Sequence, residues 1–458
     1  MAVREESDSL GAVAVPAEAY WGAQTQRALA NVSVSSRKMP LALIRCIARI
    51  KRCAAQVNRD LGLLDSLLAE ALVAAADEIV AGRHDDQFPL DLFQTGSGTS
   101  THMNVNEVIA GRANERLTGR RGGKAPVHPN DHVNMGQSSN DVIPSAMHMA
   151  IRLGLASTLT PALTHLAEAL DQKAGAFADV AKIGRTHLQD AVPMTLGQVF
   201  SGYSAQMALA VQRLEAVYPR LEALALGGTA VGTGLNAHPR FAGRVIELIA
   251  DQTGVAFVET INHFQAQATQ DAAVEAGGAL KAVAVSLSKI ANDIRWLGSG
   301  PRCGIGEIRI PALQPGSSIM PGKVNPVICE VVIQAAAQVI GNDAAITLGG
   351  LGSQFELNTM MPLIAGNLID AIDLLARAAK ALADNCVAGI EADRQACAAH
   401  VEKSLALVTG LVPHIGYDRA AALAQKAWAE GKTIRQVALE QDVVPADVLD
   451  RVLAVKRA

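Results

Sequence analysis

The sequence predicts a mainly all-α protein organised around a long central helical bundle. Half of its residues are hydrophobic but only 3% are aromatic, and Ala and Leu abound. That composition favours closely packed helices over sheets. Apolar residues also recur every three or four positions through the middle of the chain, which is the period of one helix face. Between these series lie polar stretches rich in Gly, Ser, Thr and Asn, the residues that join helices.

At 458 residues the chain is too long for one ordinary core and suits two or three domains. The expected division is an N-terminal domain over 1–137, the long-helix bundle over 138–392 and a small helical C-terminal domain over 393–458. In the last of these the sequence becomes more charged and its amphipathic segments shorten. Three apolar series mark bundle helices: Leu155, Leu159, Leu163, Leu166 and Leu170; Met207, Val211, Leu214, Val217 and Leu221; and Leu280, Val283, Leu287, Ile290, Ile294 and Leu297. Long helices bury such stripes best against one another. Ala272, Ala273, Ala276, Gly277, Gly278 and Ala279 leave little side chain on the third of them. Close helix approach and plain helix propensity explain that run equally well.

Composition also excludes several functions. A net charge of −4 with scattered basic residues does not suit a nucleic-acid or anionic-membrane surface. The opening MAVREESDSLG is acidic and lacks the apolar stretch of a signal peptide. No apolar run reaches bilayer length, so a soluble, cytoplasmic protein is expected. Cys46, Cys53, Cys303, Cys329, Cys386 and Cys397 form no CxxC motif and read as free thiols in a reducing compartment, small residues of the core. The histidines make no HExxH pattern. His128 and His132 stand four apart, but HPNDH suits a turn better than a helix. No metal is expected, and without GxGxxG after a strand no nicotinamide cofactor either.

Five polar segments are denser in hydrogen-bonding groups than joining helices requires: 94–104, 128–141, 183–190, 227–236 and 315–326. The last, PGSSIMPGKVNP, is the most informative. Gly316 and Gly322 free the backbone while Pro315, Pro321 and Pro326 restrict its flanks. Free N–H groups in such a turn form an anion nest, to which Ser317, Ser318, Lys323 and Asn325 add hydroxyls, a positive charge and an amide. The segment reads as a carboxylate or phosphate clamp, or as an ordinary ordered loop. Val324 after Gly322-Lys323 rules out a P-loop. Ser97, Gly98 and Thr99, and likewise Ser138, Ser139 and Asn140, offer groups that suit carboxylate oxygens or a bound water. His187 beside Thr186 is either a structural histidine or a proton carrier, and Glu330 is placed to assist one.

Taken together these segments resemble the fumarase/aspartase superfamily, most closely the class II, iron-free fumarases. The superfamily signature GSSxMPxKxNP is matched by 316-GSSIMPGKVNP-326. QTGSGT, HPNDxVN, QSSND, GRTHLQDA, GGTAVGTGLN and SGPRxGxGE follow in family order, between 20-YWGAQTQR-27 and 413-PHIGYDRAA-421. The resemblance implies reversible hydration of fumarate to (S)-malate through an aci-carboxylate intermediate, with no cofactor, in the tricarboxylic acid cycle. It makes Ser317 the base and His187, with Glu330, the group that handles the water proton. Ser97, Gly98, Thr99, Ser138, Ser139, Asn140, Thr186, Ser318, Lys323, Val324 and Asn325 would bind substrate. His128, Pro129, Asn130 and Asp131 would form a secondary anion site. It further implies a homotetramer whose active sites are each shared by three chains. Ser138-Ser139-Asn140 and 227–236 favour fumarase, whereas Met135 and 188–198 have an aspartase flavour, so aspartate ammonia-lyase is the alternative. Action on mesaconate and a non-catalytic helical scaffold are further readings. His102 stands where Asn is usual, Gln265 where Glu is commoner, and Ala125 and Pro126 where basic residues often precede HPND.

Overall fold

The structure, a computed structural model, describes residues 2–454. The chain opens with strands β1 (Val3–Asp8) and β2 (Gly11–Pro16). Helices α1 (Ala23–Asn31), α2 (Leu41–Asp60), α3 (Ser66–Val80), α4 (Thr99–Thr118), α5 (Ser139–Gly154) and α6 (Thr160–Ala176) follow. Next come β3 (Ala181–Thr186), β4 (Gln189–Thr195), α7 (Leu196–Glu215), α8 (Tyr218–Leu221), α9 (Phe241–Thr253), α10 (His263–Ala268) and α11 (Asp271–Leu297). The remaining helices are α12 (Val327–Gly350), α13 (Met361–Asn385), α14 (Arg394–Lys403), α15 (Val412–Ile415), α16 (Tyr417–Glu430), α17 (Ile434–Glu440) and α18 (Ala446–Leu453). Every sheet among the described residues has two strands. The fold is mainly α, as the composition predicts, with the longest helices in the centre of the chain.

Two compact units emerge, and they do not follow chain order. The first comprises Met1–Thr160, Arg213–Ala282 and Gln338–Leu375; the second comprises Pro161–Gln212, Val283–Ala337 and Ala376–Ala458. Each of the five changes of unit falls inside a helix.

In the first unit α2 buries Leu43, Ile44, Ile47, Ile50 and Val57 and packs on α3, α5 and α9. Its hairpin pairs Val3 with Pro16 through to Asp8 with Gly11. Helix α1 begins at Gly22, which has no side chain to cap it. The buried Glu107 of α4 substitutes, accepting from the N–H groups of Gly22 (2.9 Å), Gln24 (2.9 Å) and Thr25 (3.1 Å) and from Thr25 Oγ1 (2.6 Å). Burial raises the Glu107 pKa while these bonds oppose the rise. Gly277 decides between the two explanations of the small-residue run on α11. A β-carbon there would lie 3.2 Å from both Asp343 and Ile346 side chains on α12, so the helices do approach closely at that point.

In the second unit α14–α18 close over Leu407, Leu411, Leu423, Ile434, Val437 and Leu449. Phe177, Phe200 and Tyr203 stack edge to face at 5.4 and 5.6 Å between centroids, and the Tyr203 hydroxyl donates to Asp293 at 2.9 Å. Except for the half-buried Val211, all members of the three apolar series are buried.

Four expectations need correction. Polar composition suggested loops throughout 94–104, 128–141 and 183–190. Instead α4 starts at Thr99, α5 starts at Ser139 and 183–190 is the turn of the β3–β4 hairpin. Helix caps and hairpin tips use the same residues as loops do, which is why composition could not separate them. HPNDH forms a π-helical turn over Pro129–Val133. Cys303 is exposed, whereas the other five cysteines are buried. Finally, two helical stretches among the described residues, Ser139–Ala176 and Val327–Gly350, are long and apolar enough to cross a membrane. Val, Ile, Leu and Ala lift their average hydropathy, while polar residues among them break any unbroken apolar run. The first is mostly buried within the protein; the second, α12, is mostly not.

Glu107→Gln would place an amide N–H₂ against donors. We expect it to destabilise the first unit by about 2 kcal/mol, measured as a lower unfolding midpoint in thermal or urea melts.

Candidate active site

The first unit presents the starts of two helices to one another. Gly98 caps α4 with φ +73°, and a β-carbon there would meet Ile143 at 3.1 Å. Its neighbour Gly96 lies so close to the Thr359 carbonyl that a β-carbon would come within 1.8 Å of the oxygen. Helix α5 is capped by Ser138 in a capping box, with Asp141 accepting from the Ser138 N–H at 2.9 Å. These caps bring Thr99 and Ser139, the first residues of their helices, together. Ser97 Oγ, Thr99 Oγ1 and Ser139 Oγ form a chain of hydroxyls at 2.8 and 2.7 Å. Asn140 donates to the Ala230 carbonyl at 2.8 Å. Two helix N-termini with their hydroxyls joined are chemically suited to an anion, since each carries a partial positive charge.

Behind this surface lies a buried polar layer. The Asp141 carboxylate, fully buried, also accepts from the Gly227 and Thr229 N–H groups at 3.0 Å each. It thereby clamps 227–229 to the start of α5. Burial pushes its pKa up to about 6 against the pull of those N–H groups and of Lys51. The buried Lys51 Nζ lies 2.7 Å from His102 Nε2 and donates to Asn134 Oδ1 at 2.9 Å. Burial drives the Lys51 pKa well down, and burial with the neighbouring Lys51 charge does the same to His102. The imidazole at position 102 is thus a neutral partner for an amine, beneath Thr99 on the same helix.

The second unit holds segment 315–326, Thr186, His187 and Glu330, whereas the HPND turn belongs to the first. Segment 315–326 lies outside helices and strands. Gly316 N–H donates to the Lys323 carbonyl at 2.8 Å, Asn325 Nδ2 to the Gly316 carbonyl at 2.8 Å and Lys323 Nζ to Asn325 Oδ1 at 2.6 Å. Ser317 is half-buried and Ser318 exposed. Ser317 Oγ accepts from two backbone N–H groups, those of Ile319 (3.2 Å) and Met320 (3.0 Å). Two donors on one hydroxyl oxygen favour its anionic form. The exposed Val324 lies between Lys323 and Asn325.

Thr186 and His187 lie at the tip of the β3–β4 hairpin, where Thr186 pairs with Gln189 across a two-residue loop. His187 and Leu188 have φ of 57° and 61°. Such a turn needs positive φ twice and ordinarily uses Asn and Gly; each side chain held there costs of order 1 kcal/mol. In this turn His187 is exposed. Glu330 sits in the first turn of α12. No hydrogen bond joins it to His187 within the chain, so the structure does not pair the two residues that the sequence reading pairs. In the HPND turn, His128 Nδ1 accepts from the N–H groups of Asn130 (3.1 Å) and Asp131 (3.2 Å). An anion bound at Pro129–Asp131 would have to displace that contact.

Comparison with known proteins decides the family. The profile described as Lyase matches residues 11–341, and the one described as Fumarase C C-terminus matches 407–457. A fumarate hydratase class II of Thermosynechococcus vestitus is 56% identical over 448 residues, which is 98% of this chain and 96% of that one. That of Nitrosomonas europaea is 56% identical over 447 residues, 98% and 97% of the two chains. The chain belongs to the class II fumarate hydratase family. Among solved structures, the class II fumarase of Schistosoma mansoni superposes with a TM-score of 0.96 at 42% identity, covering 99% of this chain and 98% of that one. A fumarate lyase:delta crystallin of Brucella melitensis bound to cobalt gives 0.95 at 46% identity, with 99% and 98% covered. All the candidate residues named above fall inside the Lyase match.

Sequence reasoning did not single out Asp141 or Lys51. The Ser138-x-x-Asp141 spacing is a capping-box signature and could have revealed Asp141. Nothing local marks Lys51. We expect Asp141→Asn to release 227–229 from α5, because its amide nitrogen faces an N–H donor. Weaker substrate binding, read as a severalfold higher KM, should accompany about 2 kcal/mol of destabilisation; an unchanged KM would limit Asp141 to a structural role.

Proposed function

We propose that this protein is a lyase that reversibly hydrates fumarate to (S)-malate, with Ser317 as the base. The observation that carries this reading is the pair of N–H groups on Ser317 Oγ. A serine hydroxyl is a poor base unless its alkoxide is stabilised, and two backbone donors in a glycine- and proline-bounded turn supply such stabilisation. The very similar class II fumarate hydratases support the substrate assignment.

In the malate-to-fumarate direction, Ser317 Oγ takes a proton from C3. The electron pair left on C3 moves into the adjacent carboxylate to give the aci-carboxylate dianion. Lys323, Asn325, Ser318 and the N–H groups of 316–325 stabilise that charge more than they stabilise the ground state. The C2–O bond then breaks, and His187 protonates the departing hydroxide so that it leaves as water. Glu330 assists His187. Ser97, Gly98, Thr99, Ser138, Ser139, Asn140 and Thr186 hold the carboxylates and the water, aided by the N-termini of α4 and α5. Val324 contributes its backbone to the clamp. A secondary anion site over His128–Asp131 belongs to the same reading.

Three chains of a homotetramer complete each site. Support comes from α12, which is rich in apolar residues yet largely uncovered in the single chain: Val331, Ile340 and Leu348 are 45%, 41% and 62% exposed. Exposed apolar surface on that scale marks an interface. Assembly also gives Glu330 a second route to His187, that of a neighbouring chain. We place the enzyme in the cytoplasm.

The test follows fumarate by its ultraviolet absorbance with malate or aspartate supplied and a chelator present. Absorbance should rise with malate alone. A rise with aspartate alone would move the chain to ammonia-lyase chemistry, and loss of the malate signal to the chelator would implicate a metal. Ser317→Ala should lower kcat by about 10²–10⁴-fold with folding intact. Dilution to monomers, followed by sedimentation, should abolish turnover; a fully active monomer would overturn the shared site.

A further inference from the structure

The β3–β4 hairpin packs on α14 and on the turn over 405–411, and it is also tied to its unit through a buried carboxylate. The hairpin changes register between Ile183 and Arg185, and at Gly184 a β-carbon would come within 2.7 Å of the Val192 carbonyl oxygen. Directly after this irregularity the Arg185 guanidinium forks onto Glu307, Nη1 to Oε2 at 3.0 Å and Nη2 to Oε1 at 2.8 Å. Glu307 is completely buried. Lys182 Nζ stands 3.4 Å from its Oε2, and His400 Nδ1 3.1 Å from its Oε1. The Glu307 backbone is pinned as well. Its N–H donates to the Leu297 carbonyl at 2.9 Å, and its carbonyl accepts from Asp393 N–H at 2.9 Å and from the Cys397 thiol at 3.5 Å. Burial alone would raise the Glu307 pKa, but the Arg185 bonds and the Lys182 charge outweigh it and hold the carboxyl below its ordinary value.

A buried ion pair of this kind is a weak source of net stability, because desolvation offsets the attraction. What it supplies is geometry: a planar fork fixes both distance and angle. Arg185 lies two residues before His187, at the base of a turn whose two central residues both hold left-handed backbone conformations. Such a turn persists only where its surroundings over-determine it. The fork, the register change and the pinned Glu307 backbone do so from the Arg185 side.

We propose that Arg185 and Glu307 are positioning residues for the hydration reaction, their buried fork setting where the hairpin tip presents His187. The inference rests on His187 as the group that exchanges a proton with water.

The experiment uses the assembled enzyme. Glu307→Gln and Arg185→Lys are each made alone and in a His187→Asn background, and kcat and KM for malate are compared at matched oligomeric state by sedimentation. In the wild-type background kcat should fall about 10- to 100-fold, the range that ångström-scale misplacement of a catalytic group produces, with KM changed less than about twofold. In the His187→Asn background the same changes should lower the residual kcat by less than about twofold, because the group they position is already gone. Equal losses in both backgrounds would overturn the proposal by showing that the fork acts on the fold as a whole. No loss in the wild-type background would overturn it too. An unchanged kcat in His187→Asn alone would remove His187 from the chemistry, a distinct failure that falls on the functional reading and takes the proposal's basis with it. If Glu307→Gln does not assemble, Arg185→Lys, which keeps the charge and loses the fork, decides.

Discussion

Within a helix every backbone N–H is spent on the carbonyl four residues back, so a helical protein that must hold a dianion has free donors only at helix starts and in turns. That constraint organises both units. The first offers the starts of α4 and α5, joined through Thr99 and Ser139. The second offers the turn after Ser317, whose N–H groups converge on one oxygen. Much else in the structure holds these few donors in place. Gly98 lets α4 start where it does, and Asp141 clamps 227–229 against α5.

The buried charges answer the same need. Asp141, Glu307 and Glu107 are carboxylates with little or no exposure, and each accepts two or more hydrogen bonds from different segments. Replacing such groups with apolar side chains would cost little in burial, since desolvation consumes most of their attraction. They instead tie irregular backbone to regular backbone: a capless helix start at Gly22, a glycine-rich turn at Gly227 and a strained hairpin at His187. Each lies where the helical scaffold alone cannot dictate a conformation.

This division explains what could be read from sequence. The Leu155–Leu170 and Leu280–Leu297 series were legible because helix periodicity is a local signal and burial follows from it. The turn over 316–326 was legible because its donors and acceptors lie within eleven consecutive residues. The roles of Asp141 and Glu307 were not, since their partners lie 86 and 122 positions away and no local pattern encodes such contacts. His102 stood out as a departure, yet only the fold shows the Lys51 amine against it. The polar segments around Thr99, Ser139 and His187 read as loops from sequence because capping, hairpin and loop residues share one vocabulary. The apolar length of α12 is hard to read for a different reason: Glu330, Gln334, Gln338 and Asn342 interrupt its Val, Ile and Ala, so that no unbroken run marks it.

That helix has a consequence for how the protein comes into being. A newly made chain can fold both of its units and still carry α12 with Val331, Ile340 and Leu348 facing water. In the proposed homotetramer the folded monomer is a sticky intermediate, and the time it spends waiting for partners is set by its own concentration. Dilute synthesis lengthens that wait and exposes the chain to non-productive association; abundant synthesis shortens it. Under the proposed assembly the yield of sound protein depends on expression level as well as on the stability of the fold, and a substitution that leaves every unit well folded can still lower abundance by slowing assembly.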